Sequence, residues 1–471
     1  MNTTNNFRVL SACFATVFAT ASALVAQSGM GLYGSDFLPT SSQFLNPATT
    51  ADSKVWLQYN VVGTQVYADN NLVKLVDYKY ADLLNATIPA LTINTLIATR
   101  YVSADGAVDG PAFTLSQEKW GIGVFMRARA VGDLRFASGR TLLAYLSQTA
   151  TNEDNIDLNL NNSRASAMGW LEYGFNYSRM ISRDRKGVLT TGGNLRYAQG
   201  ITYQGIQVSK LNGYYNDTII QVDQLSGNVW QVAPALNAGR GAALDIGLRY
   251  KRTLSTANKY LANSIKCNCK PIDYKYIVGL SLRDMGFIRF NKNVTQTPFS
   301  GSGTYYTDRN DLSYEQDVEQ LLASPSQLSS LTAAMPLNIT AQMDYNFQNG
   351  FFISGVAVKN LLPNNANGVR GANFMTLTGR FEIRDFGIAL PITFQKYISP
   401  MVGLSLRLRG VAVGIDNITP LLHTTNLHGT GFYLKWSTSV YKNPACNRKR
   451  VVPDKCPGRN KKGQLNMRPL S

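Results

Sequence analysis

Basic side chains recur at every second position in several apolar stretches of the sequence. In "VGLSLRLRGVAVGID", which begins at Val402, Arg407 and Arg409 alternate with leucines. Successive side chains of a strand point to opposite faces, so one face here would be apolar and the other cationic. A cavity lined by guanidinium groups concentrates anions and repels cations. These residues therefore suggest anion binding or conduction.

The other alternating stretches predict a larger set of side chains that face an interior. With each apolar face placed outward, this set consists of Arg127, Arg129, Arg196, Arg249, Lys251, Arg283, Arg380, Glu382, Arg407, Arg409 and Lys435. The other acidic side chains predicted to join it are Glu172, Asp245 and Asp344. Alternatively, ladders of arginine with acidic and tyrosine side chains fill a narrow interior and conduct nothing.

Motifs for catalysis and metal binding are missing from the sequence. The chain has no phosphate-binding loop, no G-x-S-x-G turn and no H-E-x-x-H zinc motif. Its two histidines, His423 and His428, lie five residues apart and lack nearby cysteines or carboxylates that would complete a metal site. We therefore predict that the protein is not an enzyme and has no catalytic residues, no cofactor and no metal ion.

The elements that position the charged residues are strands. Membrane-spanning barrel strands have about 9 to 11 residues, with lipid-facing and lumen-facing side chains in alternation. The sequence "FGIALPITFQ", from Phe386 to Gln395, follows this pattern. We predict an all-β transmembrane antiparallel β-barrel whose fourteen strands lie near 54–69, 95–116, 120–131, 168–182, 188–208, 241–252, 274–290, 334–347, 350–361, 373–383, 386–397, 402–409, 411–416 and 430–441.

Composition and turn lengths also favour a membrane barrel over a soluble β-sandwich. Only 16% of the 471 residues are charged, and no run of about 18 apolar residues predicts a transmembrane helix. The predicted turns on one side are short, whereas long connections on the other side cover residues 132–167, 209–240 and 291–333. Bacterial outer-membrane barrels show this asymmetry between short periplasmic turns and long extracellular loops. The exceptions are the long periplasmic turn 253–273 and a short outer turn near Ser399.

The chain divides into four predicted regions. Residues 1–26 have the pattern of a signal peptide cleaved after Ala26. Residues 27–53 would plug the lumen or line its periplasmic mouth, and residues 54–441 would form the barrel, with a short loop helix after Asp311. Residues 442–471 form a basic tail, which we predict to be disordered, with nine Lys or Arg against one Asp. An even strand number leaves both termini in the periplasm.

The predicted partners follow from this location. Outer-membrane lipid and lipopolysaccharide would surround the barrel. The basic tail would bind peptidoglycan or a periplasmic protein, or remain a solvated extension without a partner. Nucleic acid is not expected as a partner in that compartment.

Four cysteines remain after the predicted signal peptide. Cys267 and Cys269 lie in "KCNCK" within the long periplasmic turn, and Cys446 and Cys456 lie in the tail. The periplasm is oxidising, so disulfides are expected, although four cysteines permit three pairings. A metal site with four thiolate ligands is the alternative.

Several stretches resemble known families. "FLNPAT", from Phe44 to Thr49, resembles the Asn-Pro-Ala entry of the long-chain fatty-acid transporter superfamily of fourteen-stranded barrels. "ALDIGLRYK", "VGLSLRDMGFIRFNK", "MPLNITAQMDYNF", "LSLRLRGVAVGIDNITPLL" and "GTGFYLKWSTSVY" are similar, in this order, to an uncharacterised Bacteroidota family of outer-membrane barrels, the DUF5723 type. Related barrels include components of the type IX secretion and gliding apparatus.

Two functions are predicted from these observations. The first is a transporter or channel for a small hydrophobic or anionic solute, which the fatty-acid-transporter-like entry and the cationic interior suggest. The alternative is a non-catalytic structural component of an envelope or type IX secretion and gliding assembly, which the tail and the long loops suggest.

Overall fold

The structure is a computed structural model of the 471-residue chain. It describes Gly29, Gly31 and residues 34–81, 90–93, 100–136, 156–215, 219–257, 260–264, 272–306, 324–395 and 400–444.

Fourteen strands form one closed antiparallel barrel. They are β1 (Leu57–Asn70), β2 (Arg100–Gln117), β3 (Trp120–Phe136), β4 (Ser163–Arg183), β5 (Gly187–Tyr215), β6 (Gly239–Thr253), β7 (Tyr274–Phe290), β8 (Asn338–Gln348), β9 (Phe351–Asn360), β10 (Phe374–Glu382), β11 (Phe386–Gln395), β12 (Leu404–Leu408), β13 (Val411–Ile415) and β14 (Gly429–Val440). Each strand pairs with the next, and β1 closes the barrel on β14, with Leu57 opposite Val440. The predicted fourteen-stranded transmembrane barrel is confirmed.

Alternation of side chains separates an apolar outer face from a polar lumen. In β10, Thr376, Thr378 and Arg380 are buried toward the lumen, whereas Met375 and Leu377 are 54% and 44% exposed. Large apolar side chains are exposed in the same way on strands around the barrel. A continuous apolar belt of this kind is the surface that a lipid bilayer covers. Among the described residues, the helices are too short or too polar to cross a bilayer.

The two ends of the barrel differ in their connections. At the terminal end, where β1 begins and β14 ends, most strands are joined by tight turns such as Gln348–Phe351. The exception is the 20-residue connection between β6 and β7, of which Ala257 and Ala262 donate backbone hydrogen bonds to Arg185 and Glu118 in the turns at this end. At the opposite end, here called the loop end, the connections are mostly longer and carry accessory strands.

The accessory strands extend the barrel wall at the loop end. β5 continues to Tyr215 and pairs with Ile219–Val232, which in turn pairs with Val294–Tyr306. Much of the connection predicted as an open loop over 209–240 is therefore strand. Val73–Tyr78, Ala90–Ile93 and Thr425–Leu427 form a separate small sheet. The remaining short strands are Ile156–Asn159, Ser326–Gln327, Leu331–Ala334 and Met401–Val402.

The described helices are short. A single-turn helix, α1, covers Pro39–Ser42, a 3₁₀-helix covers Pro47–Asp52, and α2 covers Thr419–Leu422 at the loop end. The first two belong to residues 34–56, which lie inside the lumen and are called the plug below. The predicted helix after Asp311 lies outside the described residues.

Candidate functional site: the barrel lumen

The plug owes its local shape to the Asn46-Pro47-Ala48 sequence. The Asn46 side chain caps the 3₁₀-helix by accepting a hydrogen bond from the Ala48 amide at 3.0 Å. Pro47 occupies the first helical position, where its missing N–H costs no hydrogen bond. The Asn46 amide group also donates to the carbonyl oxygen of Leu248 on β6 at 2.9 Å. One side chain therefore shapes the plug and attaches it to the wall.

Side chains of the wall hold the plug mainly through its backbone. Asn176 on β4 and Asn194 on β5 donate to the carbonyl oxygens of Pro47 and Gln43 at 3.2 and 3.1 Å. On β7, Ser281 donates to the carbonyl oxygen of Leu45 at 2.6 Å. These bonds satisfy buried carbonyl groups that water does not reach.

Glycines on the inner face of the wall give the plug its space. A Cβ atom on Gly192 of β5 would lie 2.6 Å from the Pro47 carbonyl oxygen. A Cβ atom on Gly247 of β6 would lie 2.2 Å from the Asn46 side-chain oxygen. Any other residue at these positions would push the plug away from the wall, because real Cβ atoms do not approach so closely.

A buried group of five charged side chains, here called the central ion cluster, lies next to the plug. It consists of Arg129, Glu172, Arg196, Asp245 and Asp284, each at most 6% exposed. Arg196 contacts Glu172 at 3.0 Å, Asp284 at 2.8 Å and also Asp245. Arg129 contacts Glu172 at 3.2 Å and Asp284 at 2.7 Å. The two guanidinium groups thus neutralise most of the charge of three carboxylates from three different strands.

Further ion pairs occupy the lumen around this cluster. Arg127 contacts Asp109 at 2.8 Å, and Lys251 contacts Asp52 of the plug at 2.6 Å. Arg249 lies 3.5 Å from Asp52 as well. On the opposite wall, Arg380 contacts Asp344 at 2.8 Å and Glu382 at 3.4 Å, and Arg407 contacts Glu382 at 3.3 Å.

Two predicted lumen residues use other partners, and one prediction is wrong. Arg283 donates to Thr340 at 3.0 Å and to the Phe44 carbonyl oxygen at 2.9 Å, and Lys435 donates to Ser41 of the plug. Arg409 is exposed instead of lining the lumen. It lies in the turn between β12 and β13 with a φ of 51°, so the alternation that places Arg407 inward ends before it.

A charged latch joins the plug to the connection between β6 and β7. The Lys54 ammonium lies 2.8 Å from Asp36 in the plug and 3.0 Å from Asp273 in that connection. Burial opposes ionisation of Asp36, but the Lys54 and Arg380 charges outweigh it and lower the pKa of Asp36 to about 2. Burial also opposes ionisation of Lys54, yet Asp36 and Asp273 raise its pKa. In the same connection, Tyr260 donates to Asp52 at 2.8 Å.

On the loop-end side of the central ion cluster, the lumen contains an apolar cluster. Its buried members are Val131, Met168, Trp170, Ala198, Tyr203, Val232, Ala238, Ala243, Ile288, Phe290, Val294, Leu331, Ala333, Met335 and Val369. Trp170 connects the two clusters, because its indole N–H donates to Glu172 at 2.6 Å and the Arg129 guanidinium lies 4.9 Å from its ring centre. Along β5, Gly192, Arg196 and Tyr203 mark three layers in order: plug, ion cluster and apolar cluster.

The lumen is closely packed around the plug. A cavity of about 60 Å³ lies between the plug and the wall formed by β6 to β9, next to Lys54, Arg249 and Asp344. A space of this size holds at most a few water molecules. The described part of the chain therefore shows the lumen in a closed arrangement.

Sequence reasoning missed several acidic members of the site. Asp52 and Asp109 were not assigned to the lumen, and Asp284 lies one residue after the inward-facing Arg283, where strict alternation points outward. A bulge resolves this conflict, because the β6–β7 register shifts between Leu244 and Ile246 and Asp284 has a φ of 59°. The Arg-Asp-Met-Gly sequence that interrupts the apolar alternation was the available signal.

The remaining predicted features are the four cysteines, the two terminal regions and the two histidines. Cys267, Cys269, Cys446 and Cys456 lie outside the described residues, as do residues 1–26 and most of the basic tail. His423 is exposed after α2, whereas His428 is partly buried before β14 and its carbonyl oxygen accepts two hydrogen bonds from Asn70. Within the described ranges, no three His, Cys, Asp or Glu side chains are arranged to hold a metal ion.

Comparison with known protein families identifies the family of this chain. The model of a family of unknown function, DUF5723, matches residues 47–416, from the Asn-Pro-Ala motif to the end of β13. The chain belongs to this family. The predicted resemblance to DUF5723 is thereby confirmed. A comparison with curated proteins finds no match.

Solved structures similar to this DUF5723 chain include two toluene transporters and a FadL homologue. The toluene transporter TbuX of Ralstonia pickettii has 10% sequence identity and a TM-score of 0.41, over 85% of this chain and 93% of that chain. The toluene transporter TodX of P. putida has 10% identity and a TM-score of 0.41, over 86% and 94%. A Pseudomonas aeruginosa FadL homologue has 11% identity and a TM-score of 0.25, over 88% and 99%.

Proposed function

We propose that the protein is an outer-membrane channel for a small apolar solute and that the plug is its gate. The observation that carries this proposal is the way in which the plug is held. Hydrogen bonds and ion pairs from β1, β4, β5, β6, β7 and β14 attach it, and its backbone rests against wall glycines. Noncovalent contacts of this kind allow a segment to move without unfolding the wall.

The lining of the lumen favours an apolar over an anionic solute. Of the predicted cations, Arg127, Arg129, Arg196, Arg249, Lys251, Arg380 and Arg407 have carboxylate partners within 4 Å. A guanidinium group that is already paired offers little attraction to a passing anion. The loop-end half of the lumen is apolar instead, with Met168, Trp170 and Phe290 among its side chains.

We also propose an orientation and surroundings for the barrel. Both termini and the short turns would lie in the periplasm, and the loop end would face the outside. Outer-membrane lipid and lipopolysaccharide would contact the apolar belt. The basic residues 442–471 would bind peptidoglycan or a periplasmic protein. In this proposal the protein is not an enzyme.

The packed lumen favours one alternative function. A barrel filled by a plug and buried ion pairs is also suited to a non-catalytic structural component of an envelope or type IX secretion and gliding assembly. In that case the plug would stay in place, and the tail would connect the barrel to its partners.

The plug ion pairs give a test that separates these functions. Outer-membrane vesicles that contain lipopolysaccharide would carry the wild-type protein or the Asp52→Asn variant, which loses the charge that faces Lys251 and Arg249. Uptake of the apolar dye 1-N-phenylnaphthylamine would be measured by fluorescence. A channel predicts faster uptake in Asp52→Asn than in wild type, and the exposed Asp223→Asn is the matched control. Equal uptake in all vesicles, including protein-free ones, would exclude the channel and favour the structural role.

A further inference from the structure

The connection between β9 and β10 crosses the mouth of the barrel at the loop end. Residues 361–373 begin and end on neighbouring strands, yet they contact β3 and β4, which lie about five to seven strands away on a fourteen-strand circumference. Asn364 accepts hydrogen bonds from Arg135 of β3 at 3.1 Å and Arg164 of β4 at 3.2 Å. A connection that followed the rim would not reach these residues. We refer to residues 361–373 as the lid.

The lid is a compact unit built around Arg370. The buried Arg370 guanidinium donates to carbonyl oxygens of the lid itself: Ala366 at 2.9 Å, Asn364 at 3.2 Å, Gly368 at 3.3 Å, and Pro363. These four bonds lie within the segment and hold it in one shape. The lid therefore has the internal bonding that lets a loop move as one body.

Hydrogen bonds to β3, β4 and the residues just before β8 fix the lid in the mouth. The Arg370 amide donates to Asp133 of β3 at 3.0 Å. The Ser166 hydroxyl of β4 lies 2.9 Å from the Gly368 carbonyl oxygen and 2.6 Å from Asp133, and its single proton can be donated to either acceptor. Asp133 also pairs with Arg164 at 3.2 Å. On another side, the Val369 amide donates to the Ala334 carbonyl oxygen at 3.3 Å, and the Ala334 amide donates to the Asn367 carbonyl oxygen at 2.9 Å.

The lid faces the solvent on one side and the lumen on the other. Pro363, Asn364 and Asn365 are exposed, whereas Gly368 to Ala372 are buried. Val369 is fully buried as a member of the apolar cluster. Withdrawal of the lid would therefore expose apolar side chains of the lumen to the outside.

We propose that the lid is a second gate, in series with the plug and independent of it. This inference rests on the proposed channel function and adds the element that controls entry of the apolar solute from the loop end. The plug and the lid occupy opposite ends of the lumen and are separated by the central ion cluster. Two independent gates in series have an open probability equal to the product of their separate open probabilities.

Gly368 gives a direct way to disturb the lid. Its φ is 144°, and a Cβ atom there would lie 2.3 Å from the Ala334 carbonyl oxygen and 2.7 Å from the Ala334 nitrogen. Gly368→Ala should therefore be incompatible with the closed lid. Gly379→Ala on β10 is the matched control, because no heavy atom lies within 4 Å of its added Cβ. Asp133→Ala removes the wall acceptor of the Arg370 amide and is a second, chemically different variant.

The experiment measures lid opening and solute entry separately. Amide hydrogen exchange of the peptide that covers residues 361–373 reports the lid, and dye uptake by outer-membrane vesicles reports the channel. Gly368→Ala and Asp133→Ala should each speed exchange of this peptide by about tenfold or more, while the peptides of β3 and β4 stay protected. Each should also speed uptake, and combination with Asp52→Asn should multiply the two separate fold-changes.

Each outcome has a defined meaning. Unchanged exchange of residues 361–373 in both lid variants, with a correctly folded barrel, would overturn the lid. Faster exchange without any effect on uptake, in a protein whose Asp52→Asn variant does speed uptake, would overturn its role as a gate. A double variant no faster than the better single variant would overturn two gates in series. No uptake in any variant would reject the channel function itself, while exchange would still report whether the lid opens.

Discussion

Replacement of Arg196 by methionine tests whether the central ion cluster stabilises the fold. Arg196 is 3% exposed and contacts Glu172 at 3.0 Å, Asp284 at 2.8 Å and Asp245. In Arg196→Met, Glu172 and Asp284 would keep Arg129 as a cationic partner, whereas Asp245 would lose its ion pair within the cluster. Loss of one partner from a buried ion pair costs about 3 to 5 kcal/mol, because the remaining charge stays out of water. We expect a loss of unfolding free energy in this range.

The assay is urea-induced unfolding of the barrel in lipid vesicles, followed by tryptophan fluorescence. Arg196→Lys should also destabilise the barrel, since one ammonium group does not reproduce a planar guanidinium that bonds several carboxylates. Arg240→Met is the control, because Arg240 is exposed on the adjacent strand β6. If Arg196→Met were as stable as Arg240→Met, the lumen at this level would be hydrated, and the ion pairs would not be the structural filling described above.

Three further predictions concern the plug. Asn46→Ala removes the helix cap and the bond to the wall, at a cost of about 1 to 2 kcal/mol, so limited proteolysis should cut the plug faster while the barrel stays resistant. Gly192→Ala should displace the plug and increase its hydrogen exchange, whereas Gly355→Ala, with no heavy atom within 4 Å of the added Cβ, should not. The pKa of Asp36 is lowered from 3.8 to about 2, so its contribution is present above pH 3.8 and lost toward pH 2. Urea unfolding should show that Asp36→Asn reduces the stability difference between pH 7 and pH 2 by about 2 kcal/mol. An unchanged difference would mean that the ion pair between Asp36 and Lys54 does not stabilise the fold.

The barrel could be predicted because each strand and its orientation are determined by the residues of that strand alone. In "FGIALPITFQ", a lipid-facing side chain follows every lumen-facing one, so a short stretch of sequence carries both the strand and its orientation. The strand Ile219–Val232 was not predicted, because it extends the wall beyond the fourteen barrel strands at the loop end and has no reason to alternate as strictly. The lid was not predicted for a similar reason. Pro363, Asn364 and Gly368 indicate a loop, but the residues of the loop do not indicate that it turns inward.

The site was predictable only as a list of inward side chains. Alternation gives the facing direction of Arg196, but its partners Asp245 and Asp284 come from two other strands whose register depends on the bulge near Asp284. The contacts of the plug depend on the closed barrel in the same way. The inward-facing glycines Gly192 and Gly247 did indicate a plug, since larger side chains would be expected at those positions in a barrel without one.

The position of the plug has a consequence for biogenesis. Residues 34–56 precede β1 in the chain, yet they bind β14 through Lys435 and β1 through Gln58. The pairing of β1 with β14 closes the circumference and therefore joins two strands that both contact this N-terminal segment. If the segment helps to bring these two strands together, a variant that binds the segment poorly should close the barrel less efficiently and accumulate as an open, protease-sensitive sheet.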